Sequence, residues 1–473
     1  MVPFLKYVFI KDKNFYRSVA LLAVPIAVQS MITVGVNMMD TIMVGRLGET
    51  ELSAVSLANT FINIYHILCM GLSMGASVLV ARFNGMKDQV DMQKSVAIMY
   101  RLTVLIASLF CIITLAAPEA IMHIYSRETA IIERGVEYLR WSAVTYYLLG
   151  LSLTTTIILR AVGKQKVPLY TSFGAFFINV GANYIFIFGH FGMPRMGVAG
   201  AALGTLIARL FEFAMICGFL FFKDDVIGFR IGHLFMKTGD LLKEYIRISI
   251  PVLVSDGILA LGNNSVAMII GRIGGEFVAA NAVTAVTQQM SSVLTQGFSQ
   301  AGTMITGKTL GEGDRGKAQE QGYAFLGIGF LLGLLSAAVI LVISTPVIRS
   351  YHLSEHTAGI ARQLMDAIAI IVLFQSTNSI MTKGVLRGGG DTKVLMAADN
   401  VFLWIASLPL GILAAFVLRL PAFWIYFYLK IDQVLKSIWC VYRLRSGKWI
   451  KKIKGSQKDT WEIKERDERI HMV

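Results

Sequence analysis

The stretch GRLG at residues 45–48 recurs as GRIG at residues 271–274, 226 positions later. At the same offset the flanking residues also recur: Pro25 as Pro251, Ala54 as Ala280, Gly71 as Gly297, Ser73 as Ser299, and Asp88 as Asp314. No gap is needed anywhere between residues 25 and 88. The chain is therefore predicted to consist of two homologous halves.

A second match extends this duplication towards the end of each half. Residues 159–167 recur as residues 386–394, now at an offset of 227. A period of this length exceeds the roughly 20–50 residues of solenoid repeats. In an apolar chain, two long homologous halves are typical of transporters with a pseudo-twofold axis.

Composition predicts that the chain lies in a membrane. Of its 473 residues 55% are hydrophobic and 16% are charged, and the mean hydropathy is +0.62, far from the average of soluble domains. Uncharged stretches such as 52–81, 167–194 and 277–307 are long enough to cross ~30 Å of hydrocarbon. We predict 12 transmembrane helices, beginning near residues 18, 53, 97, 139, 167, 197, 245, 277, 322, 363, 394 and 421. The expected fold class is an all-α integral membrane protein with two pseudo-twofold-related six-helix lobes around a central cleft.

The repeat also predicts the domain organisation. Helices 1–6 form an N-lobe at residues 1–222, followed by a cytoplasmic linker at 223–244. Helices 7–12 form a C-lobe at 245–443, and a basic cytoplasmic tail follows at 444–473.

Basic residues predict the orientation of the chain. With the N-terminus inside, the loops on that side hold 32 of the 44 Lys and Arg residues, and the opposite loops hold nine. This asymmetry puts both termini in the cytoplasm of a multi-pass protein of the cell (inner) membrane. It accounts for the net charge of +14 without a nucleic-acid partner, and the basic tail is expected to contact anionic membrane lipid. A removed signal peptide is not expected, and the four cysteines, which lack metal-ligand spacing, are expected to be apolar fillers.

Four polar side chains are predicted to share one depth in the outer half of the membrane. Asp40 follows an uncharged stretch in helix 1, Asn179 and Asn183 lie four residues apart on one face of helix 5, and Thr205 lies about ten residues into helix 6. Carboxylate, amide and hydroxyl oxygens suit a small alkali cation, and the lone carboxylate could equally take a proton. The alternatives are a helix-end role for Asp40 and interhelical hydrogen bonding for the other three.

Other charged residues within the spans have simpler interpretations. Arg209 and Glu212, three residues apart on helix 6, are expected to form a structural ion pair. Asp366 lies near the outer end of helix 10 and is expected to be solvated. Asp256 lies nine residues inside helix 7, where a carboxylate is expensive, and so is a functional candidate.

Several motifs resemble the multidrug and toxic compound extrusion (MATE) family. They are MDTIMVGRLG at residues 39–48 within the stretch 25–88, residues 386–393, Asp399 with Trp404 on helix 11, and residues 445–448 with Trp449 after helix 12. The resemblance covers residues 15–450. It implies two six-helix lobes enclosing a cleft, without enzyme chemistry. It also implies export of organic, often cationic and amphipathic compounds in exchange for inward Na⁺ or H⁺, with no cofactor beyond that coupling ion.

The resemblance assigns residue roles unevenly. It implies that Asp40, Asn179, Asn183 and Thr205 bind the coupling ion, with the same four as tentative Na⁺ ligands, and that Pro25 is a hinge in helix 1. Asn183 stands where other members carry a second Asp, so this site holds one carboxylate instead of two.

A C-lobe ion site of the family is not expected here. Leu259 and Ser376 stand where the norfloxacin-extruding branch has a Glu and an Asp. Asp256 corresponds instead to an acidic residue in helix 7 of another branch.

The predicted substrate cavity has candidate residues from both halves: Asn37, Met38, Asp256, Asn263 and Gln288. The expected partners are small organic cations or amphipathic drugs and membrane lipid, with the chain acting as a monomer.

Two other functions remain open at this stage. A flippase for a lipid-linked oligosaccharide or another amphipathic lipid would favour a cleft rich in Arg and Lys, whereas only Arg209 lies deep within helices 1–11. An ion channel would need a filter-like loop, and an enzyme would need a nucleophile–base pair or a metal cluster; neither pattern stands out in the sequence.

Overall fold

A computed structural model describes residues 13–350 and 354–451, and its regular secondary structure is helical throughout these ranges. In the first half the helices are α1 (Lys13–Gly45), α2 (Glu49–Met86), α3 (Gln89–Ala116), α4 (Pro118–Tyr125), α5 (Thr129–Ser142), α6 (Thr145–Ala161), α7 (Lys166–Phe188) and α8 (Val198–Gly218). In the second half they are α9 (Leu241–Ile273), α10 (Gly275–Gly311), α11 (Arg315–Ser350), α12 (Glu355–Ile380), α13 (Thr392–Val401), α14 (Leu408–Ile412), α15 (Ala422–Leu429) and α16 (Ile431–Arg445). A 3₁₀ turn lies at Ile231–Phe235, and π-helical turns lie at Phe219–Lys223, Met381–Leu386, Phe402–Ser407 and Leu413–Val417.

Each of the twelve predicted spans corresponds to a helix or to a helix assembled from consecutive segments. Within the described ranges, nine helices are long and apolar enough to cross a membrane, or ten if one bent pair counts as a single span. Two predicted spans, the eighth and the twelfth, are outside this set. The eighth is α10, which is 37 residues long but rich in Gln, Thr and Ser. The twelfth consists of α15 and α16, which have only 8 and 15 residues.

Three predicted spans are less regular than the sequence suggests. The fourth is two helices, α5 and α6, bent by 58°. The eleventh combines α13 and α14 with π-helical turns, and the twelfth is divided between α15 and α16 at Lys430. Several helices also begin before the predicted residue, as α11 does at Arg315, because polar residues continue the helix beyond the apolar segment.

The described chain divides into two compact units, and both divisions lie inside helices. The N-unit comprises residues 28–253; the C-unit comprises the described residues of 1–27 and 254–473. Each division lies two residues after a proline, Pro25 in α1 and Pro251 in α9, at the 226-residue offset of the repeat. The contacts thus group the chain differently from the predicted lobes at 1–222 and 245–443, and residues 452–473 of the predicted tail lie outside the described ranges.

The first turns of α1 are part of the core of the C-unit. Phe15 and Val19 are buried in an apolar cluster with Met381 and Trp449, and the ring centroids of Phe15 and Phe325 lie 5.6 Å apart. Burial of side chains of this size contributes roughly 1.5–3 kcal/mol each. The segment 13–27 therefore belongs structurally to the second half of the chain.

The first turns of α9 belong in the same way to the N-unit. The Tyr245 hydroxyl donates a hydrogen bond to the Leu72 carbonyl oxygen at 2.8 Å, and Tyr245 is fully buried. The backbone of Gly75 approaches the Ser249 side chain so closely that a Cβ atom at Gly75 would overlap it. Both contacts lie before Pro251 and before the division at residue 253.

A candidate ion-binding site in the N-unit

Polar side chains from α1, α7 and α8 converge within the N-unit. The Asn183 Nδ2 atom donates a hydrogen bond to Asp40 Oδ1 at 2.5 Å and lies 3.4 Å from Asn179 Oδ1. Asp40, Asn179 and Thr205 line one pocket. The structure thus brings together the four residues that depth along the helices predicted.

Small residues on α8 make this convergence possible. A Cβ atom at Gly204 would overlap Asn183 Oδ1, and one at Gly200 would overlap the Phe186 carbonyl oxygen. The backbones of α7 and α8 therefore approach closely, as small-xxx-small patterns allow in membranes. This approach brings Asn183 alongside the helix that carries Thr205.

The amides of the site are more deeply buried than its carboxylate. Asn183 and Asn179 expose 1% and 2% of their surface, whereas Asp40 is half-buried at the pocket wall. The Asn183 Oδ1 atom is buried and has no hydrogen-bond partner within the described residues. This oxygen lies against Gly204 of α8, and Asn183 is not part of the pocket lining.

The charges around the pocket leave an excess of one negative charge. Arg209 and Glu212, which the sequence predicted to form an ion pair, lie 2.7 Å apart (Nη1 to Oε2), and both line the pocket. The guanidinium is therefore matched by its own neighbour, and Asp40 is the remaining charged group of the lining. Such a pocket favours cationic ligands over anionic ones.

The predicted substrate-cavity residues are divided between the units. In the N-unit, Asn37 lines the same pocket as Asp40, and Met38 is 64% exposed. In the C-unit, Asp256 Oδ1 lies 3.6 Å from Arg387 Nη2, Gln288 Nε2 donates to Gln375 Oε1 at 2.6 Å, and Asn263 is exposed. A cavity shared by all five residues stays a prediction.

Two polar lining residues were missed by the sequence reasoning, Thr33 and Ser172. A signal for Thr33 was present, because Thr33, Asn37 and Asp40 follow the i, i+4, i+7 spacing of one helix face. Ser172 lies seven residues before Asn179 on α7 and so shares its face as well.

The two-repeat helical bundle with an intramembrane polar pocket defines the chain as a multi-pass membrane transporter. The MatE family model matches residues 25–185 and 251–417, two copies that begin 226 residues apart. The chain therefore belongs to the MatE family, as its motifs predicted. Members of this family are transporters and not enzymes.

Solved structures share the fold of this chain. An outward-facing structure of a multidrug resistance MATE family transporter of the MOP superfamily has a TM-score of 0.81 at 20% identity, covering 91% of this chain and 96% of that chain. A MATE structure in the bent conformation has a TM-score of 0.81 at 20% identity, with 92% and 96% covered. The predicted fold class, a 12-helix membrane bundle of two lobes, is confirmed.

A third structural relative differs in its pocket. It is a MOP superfamily transporter from Pyrococcus furiosus, whose binding pocket is described as having reverse polarity that suggests a different function. Its TM-score is 0.79 at 22% identity, with 91% of this chain and 96% of that chain covered.

Proposed function

We propose that this transporter exports organic, often cationic and amphipathic compounds across the cell membrane in exchange for inward Na⁺ or H⁺. It acts as a monomer with both termini in the cytoplasm. The observation that carries the proposal is the pocket around Asp40, where a half-buried carboxylate that accepts a hydrogen bond from Asn183 lies in a lining with one excess negative charge. The same carboxylate suits an organic cation, a sodium ion or a proton, one at a time.

The energy of such an exchange is sufficient. Concentrating a neutral compound 100-fold costs ~2.7 kcal/mol, because each factor of ten costs ~1.4 kcal/mol. One positive charge moving inward through ~100 mV supplies ~2.3 kcal/mol before any chemical gradient is counted. One or two coupling ions per cycle therefore meet the cost.

The proposed mechanism is competition at Asp40 combined with alternating access. Binding of the coupling ion neutralises Asp40, removes the attraction for a cationic cargo and favours bending of α1 at Pro25. Proline inside a helix leaves one backbone hydrogen bond unmade, so the helix bends there at low cost. Structures of a MATE relative are described in a bent and in a straight conformation, which is consistent with a bundle of this fold having two states.

The test replaces Asp40 by Asn, which keeps the shape of the side chain and removes its charge. An ion gradient is imposed across everted membrane vesicles. We expect the Asp40→Asn variant to lose gradient-driven transport of ethidium, while the amount of the variant protein in the membrane is unchanged. Asp366→Asn is the matched control, because Asp366 is an exposed carboxylate on α12, and it should transport like the wild type. Undiminished ethidium transport by Asp40→Asn would rule out a coupling role for this carboxylate.

The same vesicles identify the coupling ion. An imposed sodium gradient at equal pH and an imposed pH gradient without sodium are compared in the wild type. The coupling ion is the one whose gradient drives ethidium transport in the wild type but not in Asp40→Asn.

The alternative function, a lipid flippase, receives less support from the pocket. A pyrophosphate-linked lipid needs cations that are free to bind phosphate oxygens. Arg209 is the basic residue of the pocket lining, and its charge is matched by Glu212 at 2.7 Å. The negative excess at Asp40 would repel an anionic headgroup.

A further inference from the structure

The linker between the two halves is bonded to α3 at two levels. The Gln93 Nε2 atom donates a hydrogen bond to the Ile227 carbonyl oxygen at 3.0 Å. Eight residues further along α3, the Arg101 guanidinium donates to the carbonyl oxygens of Leu234 at 2.6 Å and Met236 at 2.7 Å. At ~1.5 Å per residue, the two levels are ~12 Å apart along the helix. After Ile227 the linker therefore runs back along α3.

Arg101 marks the edge of the hydrocarbon on this helix. Residues 89–101 include the charged residues Asp91, Lys94 and Arg101, whereas residues 102–116 carry no charge. A basic side chain at the end of a transmembrane helix extends its charged group into the headgroup region. The part of the linker that is bonded to Arg101 therefore lies at the boundary between headgroups and acyl chains.

An apolar stripe on α3 begins one turn beyond Arg101. Leu105, Leu109 and Ile112 are all exposed, and with Arg101 they have the i, i+4, i+8, i+11 spacing of one helix face. In a membrane protein, an exposed face of this composition contacts lipid acyl chains. The 3₁₀ turn at Ile231–Phe235 thus lies at the end of a lipid-facing surface.

The linker has one buried and one exposed set of apolar side chains. Ile227 and Phe229 are fully buried, and the ring of Phe229 packs edge-on against Tyr100 of α3 with 5.6 Å between ring centroids. Phe235 and Ile231, at the two ends of the 3₁₀ turn, expose 86% and 58% of their surface. The bonds from Arg101 fix the backbone here, so the exposed pair is presented in a preformed arrangement.

Basic side chains flank the exposed pair. Between residues 230 and 243 the linker carries three basic residues, Arg230, Lys237 and Lys243, and one acidic residue, Asp240. Arg230 and Lys237 are exposed, and neither forms an ion pair within the part of the chain that the structure describes. Apolar side chains between unpaired cations are typical of segments that lie in the interface of an anionic membrane.

The acidic residues before the turn lie at the other level of the linker. Asp224 and Asp225 precede it, and the Asp225 carbonyl oxygen accepts a hydrogen bond from Gln89 at 3.2 Å. Gln89 is the first residue of α3 and lies twelve residues before Arg101. The negative charges are therefore kept away from the hydrocarbon edge, and the positive charges lie near it.

We propose that the 3₁₀ turn is an interfacial anchor that binds anionic phospholipid in the leaflet on its own side of the membrane. Phe235 and Ile231 enter the boundary between headgroups and acyl chains, and Arg230 and Lys237 contact lipid phosphates. Arg101 is a positioning residue, because its two bonds to the linker backbone hold the turn at this depth. The anchor lies outside the lining of the pocket and goes beyond the proposed ion exchange.

The depth of the turn in a bilayer tests the anchor. A nitroxide label is attached at Phe235→Cys in the full-length chain carrying Cys111→Ala, whose other native cysteines are buried. The labelled chain is reconstituted as a monomer in nanodiscs of phosphatidylcholine and phosphatidylglycerol. Oxygen concentrates among acyl chains and a nickel chelate stays in water, so collisions with the two reagents report the depth of the label.

We expect the label at position 235 to collide preferentially with oxygen. The matched control is the same label at Asp225→Cys, an exposed linker position at the Gln89 level, which should collide preferentially with the nickel chelate. A nickel preference at position 235 would place the turn in water and overturn the proposal. Shielding of position 235 from both reagents would overturn it as well, because protein would then cover the turn.

Hydrogen exchange tests the preference for anionic lipid. Exchange of the segment 229–238 is measured in nanodiscs of phosphatidylcholine with and without phosphatidylglycerol. In the wild type we expect exchange to be about tenfold slower with phosphatidylglycerol, and Lys237→Gln should reduce this slowing about fivefold, the contribution of one basic residue near an anionic surface. Lys87→Gln should keep the wild-type slowing, because Lys87 is exposed two residues before α3 begins, far from Arg101.

Equal exchange with and without phosphatidylglycerol in the wild type would overturn the proposal, as would equal effects of Lys237→Gln and Lys87→Gln. Neither measurement involves transport, so the outcome is independent of the tests of the proposed function.

Discussion

Asn183 links the carboxylate of the pocket to the rest of the N-unit. Its Nδ2 atom donates to Asp40, and its Oδ1 atom is buried without a partner in the described residues. The side chain therefore orients the carboxylate from a buried position behind the pocket wall.

Replacing Asn183 by Leu should reduce ion-driven ethidium transport by at least about tenfold. A hydrogen bond to a charged group contributes about 1.5–3 kcal/mol, and ~1.4 kcal/mol corresponds to a factor of ten. Transport in vesicles is compared with Asn264→Leu, because Asn264 is an exposed amide of α9 outside the pocket lining. Equal transport by the two variants would contradict the role given to Asn183.

At the scale of single residues, the sequence allowed the convergence of Asp40, Asn179, Asn183 and Thr205 to be predicted. Helix rise gave the common depth of Asp40 and Thr205, and the four-residue spacing gave the common face of Asn179 and Asn183. Two hydrogen bonds of Gln29 could not be predicted in this way: the one it donates to Ser172 on α7 and the one it accepts from Arg160 on α6. They depend on how three helices are rotated about their own axes, which depth along the chain does not determine.

At the scale of helices, the close approach of α7 and α8 depends on glycine. The Gly204 Cα atom faces Asn183, and an added methyl group would overlap the amide oxygen. Gly218, at the end of the same helix, faces open space.

Gly204→Ala should therefore damage the site while Gly218→Ala should not. The added methyl forces Asn183 or the α8 backbone to move, and overpacking of this kind typically costs about 1–3 kcal/mol. We expect a lower thermal unfolding midpoint and weaker ion-driven transport for Gly204→Ala, measured on purified protein and in vesicles. A Gly204→Ala variant as stable and active as Gly218→Ala would show that the two helices tolerate a wider separation.

Helix positions were predicted better than helix regularity. The starts of α7 and α8 agree with the predicted residues 167 and 197 within one residue, because uncharged segments there begin and end at charged or helix-breaking residues. The 58° bend between α5 and α6 was not predicted. Neither proline nor glycine marks the break at residues 143–144, so local sequence carries no signal for it.

At the scale of the whole molecule, the orientation in the membrane is open to a direct test. Lys237 and Arg127 are both exposed and lie in loops predicted to face opposite sides of the membrane. In an otherwise wild-type chain carrying Cys111→Ala, a membrane-impermeant maleimide applied to intact cells should label Arg127→Cys but not Lys237→Cys. The other native cysteines are buried and give a low background. Labelling of Lys237→Cys alone would reverse the proposed topology.

The duplication was predictable from sequence, but the division into units was not. The offset of 226 is visible because the residues that follow Pro25 recur with the same spacing after Pro251. The boundary between the two units depends on the apolar cluster in which the end of each helix is buried. For Phe15, the buried residues of that cluster other than Val19 lie at least 295 residues further along the chain, from Leu310 to Trp449.

The first turns of α1 pack in the C-unit, and the first turns of α9 pack in the N-unit. This crossing has a consequence for how the gene could have arisen and for where it can be divided. If the gene is severed in the linker at 223–244, the first fragment keeps residues 13–27, which the C-unit needs to complete its core, and the second keeps 245–253, which the N-unit needs. Neither fragment can complete its own unit, so the two would have to be synthesised together and reassemble. In an ancestral protein with a single copy of the repeat, two identical chains would have had to pair, and the first helical turns of each chain would have completed the core of the other.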